Sequence, residues 1–112
     1  GTVKSTQTTY LQPYFSESTA GKLNDMLRSD VVNYYGDGKF SGLKMCGKTG
    51  TAEVSTDDNG LAPHAWFVGY SQREDLPLAV VVVVENGGGG GSVAIPVASK
   101  TMKKAASIYA EK

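Results

Sequence analysis

Apolar residues recur at three- and four-residue spacing through Leu23, Met26, Leu27, Val31 and Tyr34, a period that predicts an amphipathic helix from Ser18 to Tyr35. Ser16 is placed to cap it, and Glu17 suits the positive end of the helix. Gly36, Asp37 and Gly38 then supply a C-cap and turn, and Ser41 and Gly42 delay the next regular element. From Leu43 to Ser55 the residues are mostly small or β-branched, Asp57 to Gly60 carry turn chemistry, and Ala65 to Tyr70 follow as a second strand. A polar break ending at Pro77 precedes a third, antiparallel strand from Leu78 to Glu85. Its five consecutive valines, Val80 to Val84, show no polar alternation, so both faces are expected to be covered, with a neighbour on each side. Beyond the glycine run 87–91, Ile95, Ala98, Met102, Ala105 and Tyr109 repeat at helical spacing, with Lys100, Lys103, Lys104 and Ser107 on the other side. Pro96 belongs in the first turn of that helix, with Ser92 or Ile95 as its cap. The lead-in from Thr2 to Tyr14 has no clear alternation and is expected to be extended.

The predicted fold class is α/β in the mixed, α+β sense: one antiparallel sheet flanked by helices. A chain of 112 residues, 40% of them hydrophobic, is long enough for one core and too short for two. Eleven basic and eleven acidic side chains cancel, so no field of one sign draws in nucleic acid or an anionic membrane. The single cysteine, Cys46, excludes an intramolecular disulfide, and no Cys/His cluster offers a zinc site; no cofactor or metal is expected. The longest apolar run, Leu78 to Val84, is far below the roughly 20 residues that span a bilayer, so any anchor is expected to lie outside the chain.

Two chemistries compete for Gly42 to Thr49. The stretch GLKMCGKT fits the phosphate-binding pattern G-x-x-x-x-G-K-[ST]. A phosphate loop, however, follows a buried strand and opens a helix whose free N–H groups hold the phosphates. Here a helix and a turn precede the glycine, and the residues after Thr49 run towards an Asp-Asn-Gly turn. As a strand, the same residues read KTGTAE, Lys48 to Glu53.

That reading carries a resemblance. The blocks GKTGTAE, HAWFVGY (64–70) and VVVVVENGGGGGSVAIPVA (80–98), in this order, resemble the penicillin-binding proteins and the serine β-lactamases. SESTAGKLNDML also looks like the helix before the Lys-Thr-Gly strand of peptidoglycan transpeptidases, so the likeness extends from about Ser16 onward. It implies a partial β-lactamase/transpeptidase-like fold and part of a serine D,D-transpeptidase, which cross-links peptidoglycan stem peptides and is acylated by β-lactams. In that frame Lys48 is catalytic, placing a cation near the substrate's terminal carboxylate and assisting proton movement to the leaving group. Thr49 offers a hydroxyl to that carboxylate, and Gly50 leaves room for substrate backbone. Thr51 contributes its backbone N–H as one of two oxyanion-hole donors. Without the resemblance, the same four residues are ordinary for a strand and its turn.

The family's nucleophile is the serine of Ser-x-x-Lys, and it and Ser-x-Asn lie N-terminal to the Lys-Thr-Gly strand. The chain is expected to lack both, to be the C-terminal part of the domain, and to be inactive alone. Its expected partners are stem peptides and β-lactams in the complete domain, the N-terminal part of that domain, and a second copy through Val80 to Val84. The implied location is the extracytoplasmic face of the bacterial cell membrane. A noncatalytic interaction module, a β-lactam sensor and a β-lactamase-like domain are the alternatives. His64 is expected to be a structural strand-start residue, Cys46 a small buried hydrophobe, and Trp66, Phe67 and Tyr70 packing residues rather than a sugar platform. The glycine run is expected to be a plain turn rather than a phosphate cradle.

Overall fold

The side chain of Ser16 accepts the Thr19 backbone N–H at 3.1 Å, which satisfies one of the free donors of a helix start. Helix α1 follows over Glu17–Asp30. The computed structural model describes residues 5–53 and 60–111. The predicted single helix to Tyr35 is α-helical only to Asp30; Val31–Tyr35 form a wider π-type turn, because the Gly36 N–H reaches back five residues to Val31 O at 2.9 Å. The predicted apolar stripe is also corrected. Val31 is buried, whereas Leu23, Met26 and Tyr34 are exposed. The helix meets the sheet through polar residues instead: Tyr70 donates its O–H to Asn24 Oδ1 at 2.6 Å, and Arg28 donates to Met45 O at 2.9 Å. Arg28 also holds Asp37 in a bidentate pair at 2.6 and 2.9 Å, which ties α1 to the turn before the sheet.

A short 3₁₀ turn, Asp37–Phe40, carries the buried Phe40 beneath the sheet. Three antiparallel strands follow in the order β1 (Met45–Ala52), β2 (His64–Ser71) and β3 (Ala79–Val84). The predicted turn residues Asp57 to Asn59, and the end of the first predicted strand at Val54 and Ser55, lie outside the described residues. In register, Thr49 stands opposite Phe67, which stands opposite Val82. Gly47 faces Gly69, and a Cβ on either would come within 2.7 Å of the Phe67 ring. The glycine pair thus lets that ring lie flat on the sheet, stacked on Phe40 at 5.8 Å.

After β3, a wide turn at Gly90–Ala94 leads into helix α2, Ile95–Ala110, with Pro96 in its first turn. Ile95, Ala98 and Met102 are buried against the sheet with Phe67, Val80 and Val82, while Tyr109 stands at the rim. The expectation that both faces of the valine run are covered is corrected. Val80 and Val82 are 8% and 7% exposed, but Val81 and Val83 are 63% and 43% exposed. Helix α2 covers one face; α1 reaches the other at Cys46 and Tyr70, but among the described residues nothing covers it around Val81 and Val83, where Trp66 and Val68 are exposed too. No helix of the described residues is long and apolar enough to cross a membrane.

Candidate active site

The outer edge of β1 is the place where unpaired backbone meets functional side chains. The Thr49 N–H donates to the Tyr35 hydroxyl oxygen at 3.2 Å and so points away from β2. The two-residue period of a strand then turns the backbone groups of Met45 and Thr51 to the same edge, in keeping with Met45 O accepting from Arg28. Arg28 and Tyr35 hold the first part of this edge. The Thr51 N–H lies beyond them, with no strand beside it among the described residues.

Each predicted site residue falls on this edge. Lys48 is exposed, and its ammonium lies 3.2 Å from Thr49 O and 3.4 Å from the Tyr35 hydroxyl. Thr49 is half-buried, with Oγ1 3.1 Å from the same hydroxyl. Gly50 turns its Cα to the side of the sheet that carries Trp66, where a Cβ would stand 3.3 Å from that side chain. The Thr51 hydroxyl accepts the Gly90 N–H at 3.4 Å. A cation, a hydroxyl and an outward N–H therefore follow one another along a strand that an extended, anionic ligand can approach.

Two contributors escape the sequence pattern. Tyr35 gathers Lys48 and Thr49 on one oxygen, yet it adjoins Tyr34 at a helix end and nothing in the spacing separates the two. Burial pushes the Tyr35 phenol up, but hydrogen bonding with the Thr49 side chain and backbone, and then with Lys48, outweighs it and leaves it below the ordinary tyrosine value. Gly90 is the second. A Cβ there would stand 2.7 Å from Gly50 O, 2.8 Å from Trp66 O and 3.1 Å from Thr49 Cβ. Only glycine lets the start of the last helix press against the Lys-Thr-Gly strand, a role that a plain turn does not have.

The expectation that the chain has no Ser-x-x-Lys spacing is also corrected, because Ser41-Gly42-Leu43-Lys44 has that spacing. A lysine three residues on reaches a serine when both share a helical turn. Ser41 instead ends the 3₁₀ turn with φ 44°, Gly42 has φ 75° and Lys44 has φ 49°, so the segment is not helical. Ser-x-Asn does not occur in the sequence. The phosphate-loop reading fails on its geometry, since Met45–Ala52 form one strand and Thr49 continues that strand instead of opening a helix.

The other tempting residues are structural. His64 starts β2, and its Nδ1 accepts the Asn86 N–H at 2.9 Å, closing the exit of β3. Cys46 is buried, which pushes its thiol up, and its Sγ lies 3.7 Å from Asn24 O and Oδ1. Burial, and then Cys46, push the Tyr70 phenol up to about 12, so it stays a neutral donor to Asn24.

Known proteins resemble this chain in sequence and fold. The peptidoglycan D,D-transpeptidase PbpA of Mycolicibacterium smegmatis is 32% identical over 65 residues, which are 58% of this chain and 13% of that protein. The D,D-transpeptidase domain of a peptidoglycan glycosyltransferase from Eggerthella lenta superposes with a TM-score of 0.74 at 32% identity, covering 95% of this chain and 24% of that one. The imipenem acyl-enzyme complex of penicillin-binding protein A from Mycobacterium tuberculosis gives a TM-score of 0.72 at 29% identity, covering 90% of this chain and 22% of that one. The chain thus spans 13% of the length of the curated relative and about a quarter or less of these solved chains. The family profile described as the penicillin-binding protein transpeptidase domain matches residues 3–103, nearly the whole sequence, and the chain belongs to that family.

Proposed function

We propose that this chain supplies the Lys-Thr-Gly wall of a serine D,D-transpeptidase domain that cross-links peptidoglycan stem peptides and is acylated by β-lactams. The observation that carries this reading is the outer edge of β1, where Lys48, the Thr49 hydroxyl and the outward N–H of Thr51 follow one another on a strand with no neighbour among the described residues. Lys48 draws the terminal carboxylate and lowers the cost of proton transfer to the leaving group. Thr49 donates its hydroxyl to that carboxylate, and the Thr51 N–H stabilises the oxyanion of the tetrahedral intermediate. Gly50 keeps the strand flat against the ligand backbone.

The nucleophile of this reading comes from sequence outside residues 1–112. Ser41 and Lys44 sit in a left-handed turn rather than on a helix, and the chain covers 24% of the solved D,D-transpeptidase domain from Eggerthella lenta. The location that goes with the reading is the extracytoplasmic face of the bacterial membrane, with an anchor outside this chain. The far edge of β3 and the exposed face around Val81 and Val83 are the surfaces for the rest of the domain, or for a second copy when the chain is studied alone.

Labelling by a fluorescent penicillin tests the proposal on two proteins, residues 1–112 alone and the complete domain that contains them. Label on the complete domain only supports the reading, and a Ser41→Ala change there leaves the label intact. Label on the short chain that disappears with Ser41→Ala would move the nucleophile to Ser41, and no label on either protein would remove the transpeptidase assignment. In size-exclusion chromatography the short chain elutes as a concentration-dependent oligomer; a clean monomer at all concentrations speaks against the exposed β3 edge as a pairing surface.

A further inference from the structure

We propose that Tyr35 is a positioning residue of the Lys-Thr-Gly edge: its phenol O–H, donated to Thr49 Oγ1, turns the threonine's own O–H outward, towards the carboxylate of a bound ligand. The proposal rests on the transpeptidase reading above and adds a residue that does not itself touch the substrate.

The backbone delivers Tyr35 to this place. The wide turn at Val31–Tyr35 advances less per residue than an α-helix, so Tyr35 stays on the side of the buried Val31 while Tyr34 swings out to 80% exposure. Gly36, with φ 94°, then ends the turn. The Tyr35 ring meets the edge of Phe67 at a centroid distance of 6.3 Å and an interplanar angle of 85°, and Phe67 is itself fixed between Phe40 and the glycine pair. The hydroxyl is therefore held against β1 by packing, independently of any ligand.

Hydrogen-bond accounting then assigns the direction of each bond. Three groups surround the phenol oxygen: the Lys48 ammonium at 3.4 Å, the Thr49 backbone N–H at 3.2 Å and Thr49 Oγ1 at 3.1 Å. The first two are donors only, and they use the acceptor capacity of the oxygen. The phenol has one hydrogen to give, and Thr49 Oγ1 is the sole acceptor among the three. Once Oγ1 accepts from Tyr35, its own hydrogen points away from the phenol. A carboxylate that reaches this edge meets a hydroxyl already oriented to donate and an ammonium already held beside it, without reorganisation at the moment of binding. Phenylalanine at this position keeps the ring contact with Phe67 and removes only the hydroxyl; Thr49 is then free to turn its hydrogen elsewhere.

The test uses the complete protein with its serine nucleophile and measures acylation by benzylpenicillin and by its methyl ester, which lacks the carboxylate charge. Tyr35→Phe is expected to slow acylation by benzylpenicillin about tenfold, the effect of one hydrogen bond to a charged group. The loss falls on the concentration dependence rather than on the limiting rate, and acylation by the ester changes less than about twofold on the same principle. Thr49→Val loses the same preference for the charged ligand, and adding Tyr35→Phe to it costs nothing further. In a Thr49→Ser background, which keeps a hydroxyl to be oriented, the Tyr35→Phe loss returns. Equal losses with acid and ester reduce Tyr35 to a structural residue and overturn the inference. Full activity of Tyr35→Phe beside an impaired Thr49→Val overturns it while leaving the transpeptidase reading intact. A wild-type protein that penicillin does not acylate removes both.

Discussion

Among the described residues, the two outer strands of the sheet both leave one edge of backbone without a strand beside it, and they handle it in opposite ways. On β1 the edge residues are small or polar, Arg28 takes Met45 O, and Tyr35 takes the Thr49 N–H and sits against Lys48. On β3 the edge is a run of valines with Val81 and Val83 exposed, and no charged residue interrupts it. An edge is a template for pairing wherever its N–H and C=O groups are free. What separates a ligand-binding edge from a protein-binding one is the side chains beside it. A lysine and a threonine hydroxyl give β1 something to say to an anion, whereas flat apolar β-branched surface gives β3 only an appetite for more protein.

The strongest way to break this contrast is to remove the cation of β1. Lys48→Ala in the complete protein should lower the rate of acylation by penicillin about 10²- to 10⁴-fold, the range for a lost acid–base or charge-stabilising group. Folding, followed by thermal unfolding, should hardly change, because the side chain is exposed. A loss of stability in place of activity would make Lys48 an ordinary edge-strand lysine.

A smaller effect probes what supports the β1 wall from below. Gly90→Ala places a methyl 2.7 Å from Gly50 O and should cost about 1–3 kcal/mol of stability, the usual range for overpacking, together with part of the acylation rate. Chemical denaturation checks the first and labelling kinetics the second. A neutral substitution would show that the start of α2 moves freely and does not brace the strand.

The β3 side is sharpened by charge. Val81→Lys, at an exposed position, should abolish concentration-dependent association of residues 1–112 and alter the fold of that chain little, within about 0.5 kcal/mol. Size-exclusion chromatography at several concentrations reads the outcome. Persistent association would place the sticky surface elsewhere.

The smallest expected effect concerns the pair that ties α1 to the turn before β1. The hydrogen bonds from Arg28 hold the Asp37 carboxyl below its ordinary value, although burial works against them. A carboxyl depressed in the folded protein stabilises it above the unfolded pKa, near 4, and that contribution disappears as pH falls through the lower folded value. Asp37 is 40% exposed, so solvent screening limits the effect, and Asp37→Asn should cost about 0.5–1 kcal/mol at pH 7 and progressively less in acid. Denaturation curves of both proteins across pH 2–7 should converge at the acid end; a constant gap would assign the stabilisation to packing.

Much of this architecture was legible along the chain because it depends on local chemistry. Ser16 as a cap, the glycine stop at Gly36, the strand character of KTGTAE and HAWFVGY, and Pro96 in a first helical turn each rest on backbone preferences that the residue carries wherever it sits. Lys48, Thr49, Gly50 and Thr51 were legible as a candidate site because their order and types resemble a family, not because their spacing requires it. Three features depended on where other parts of the chain came to rest. Identical valines became buried or exposed according to which face α2 covers, a choice that a uniform run cannot encode. Leu23 and Met26 kept helical spacing yet stayed exposed, since α1 reaches the sheet through Asn24 and Arg28. Tyr35 separated from Tyr34 only when one backbone bond, Gly36 to Val31, widened the turn and set one phenol against the strand and its neighbour in water. Local propensity thus determined the elements and their order, and tertiary packing decided which side chain of each element meets the edge, because that depends on distances between residues far apart in the sequence.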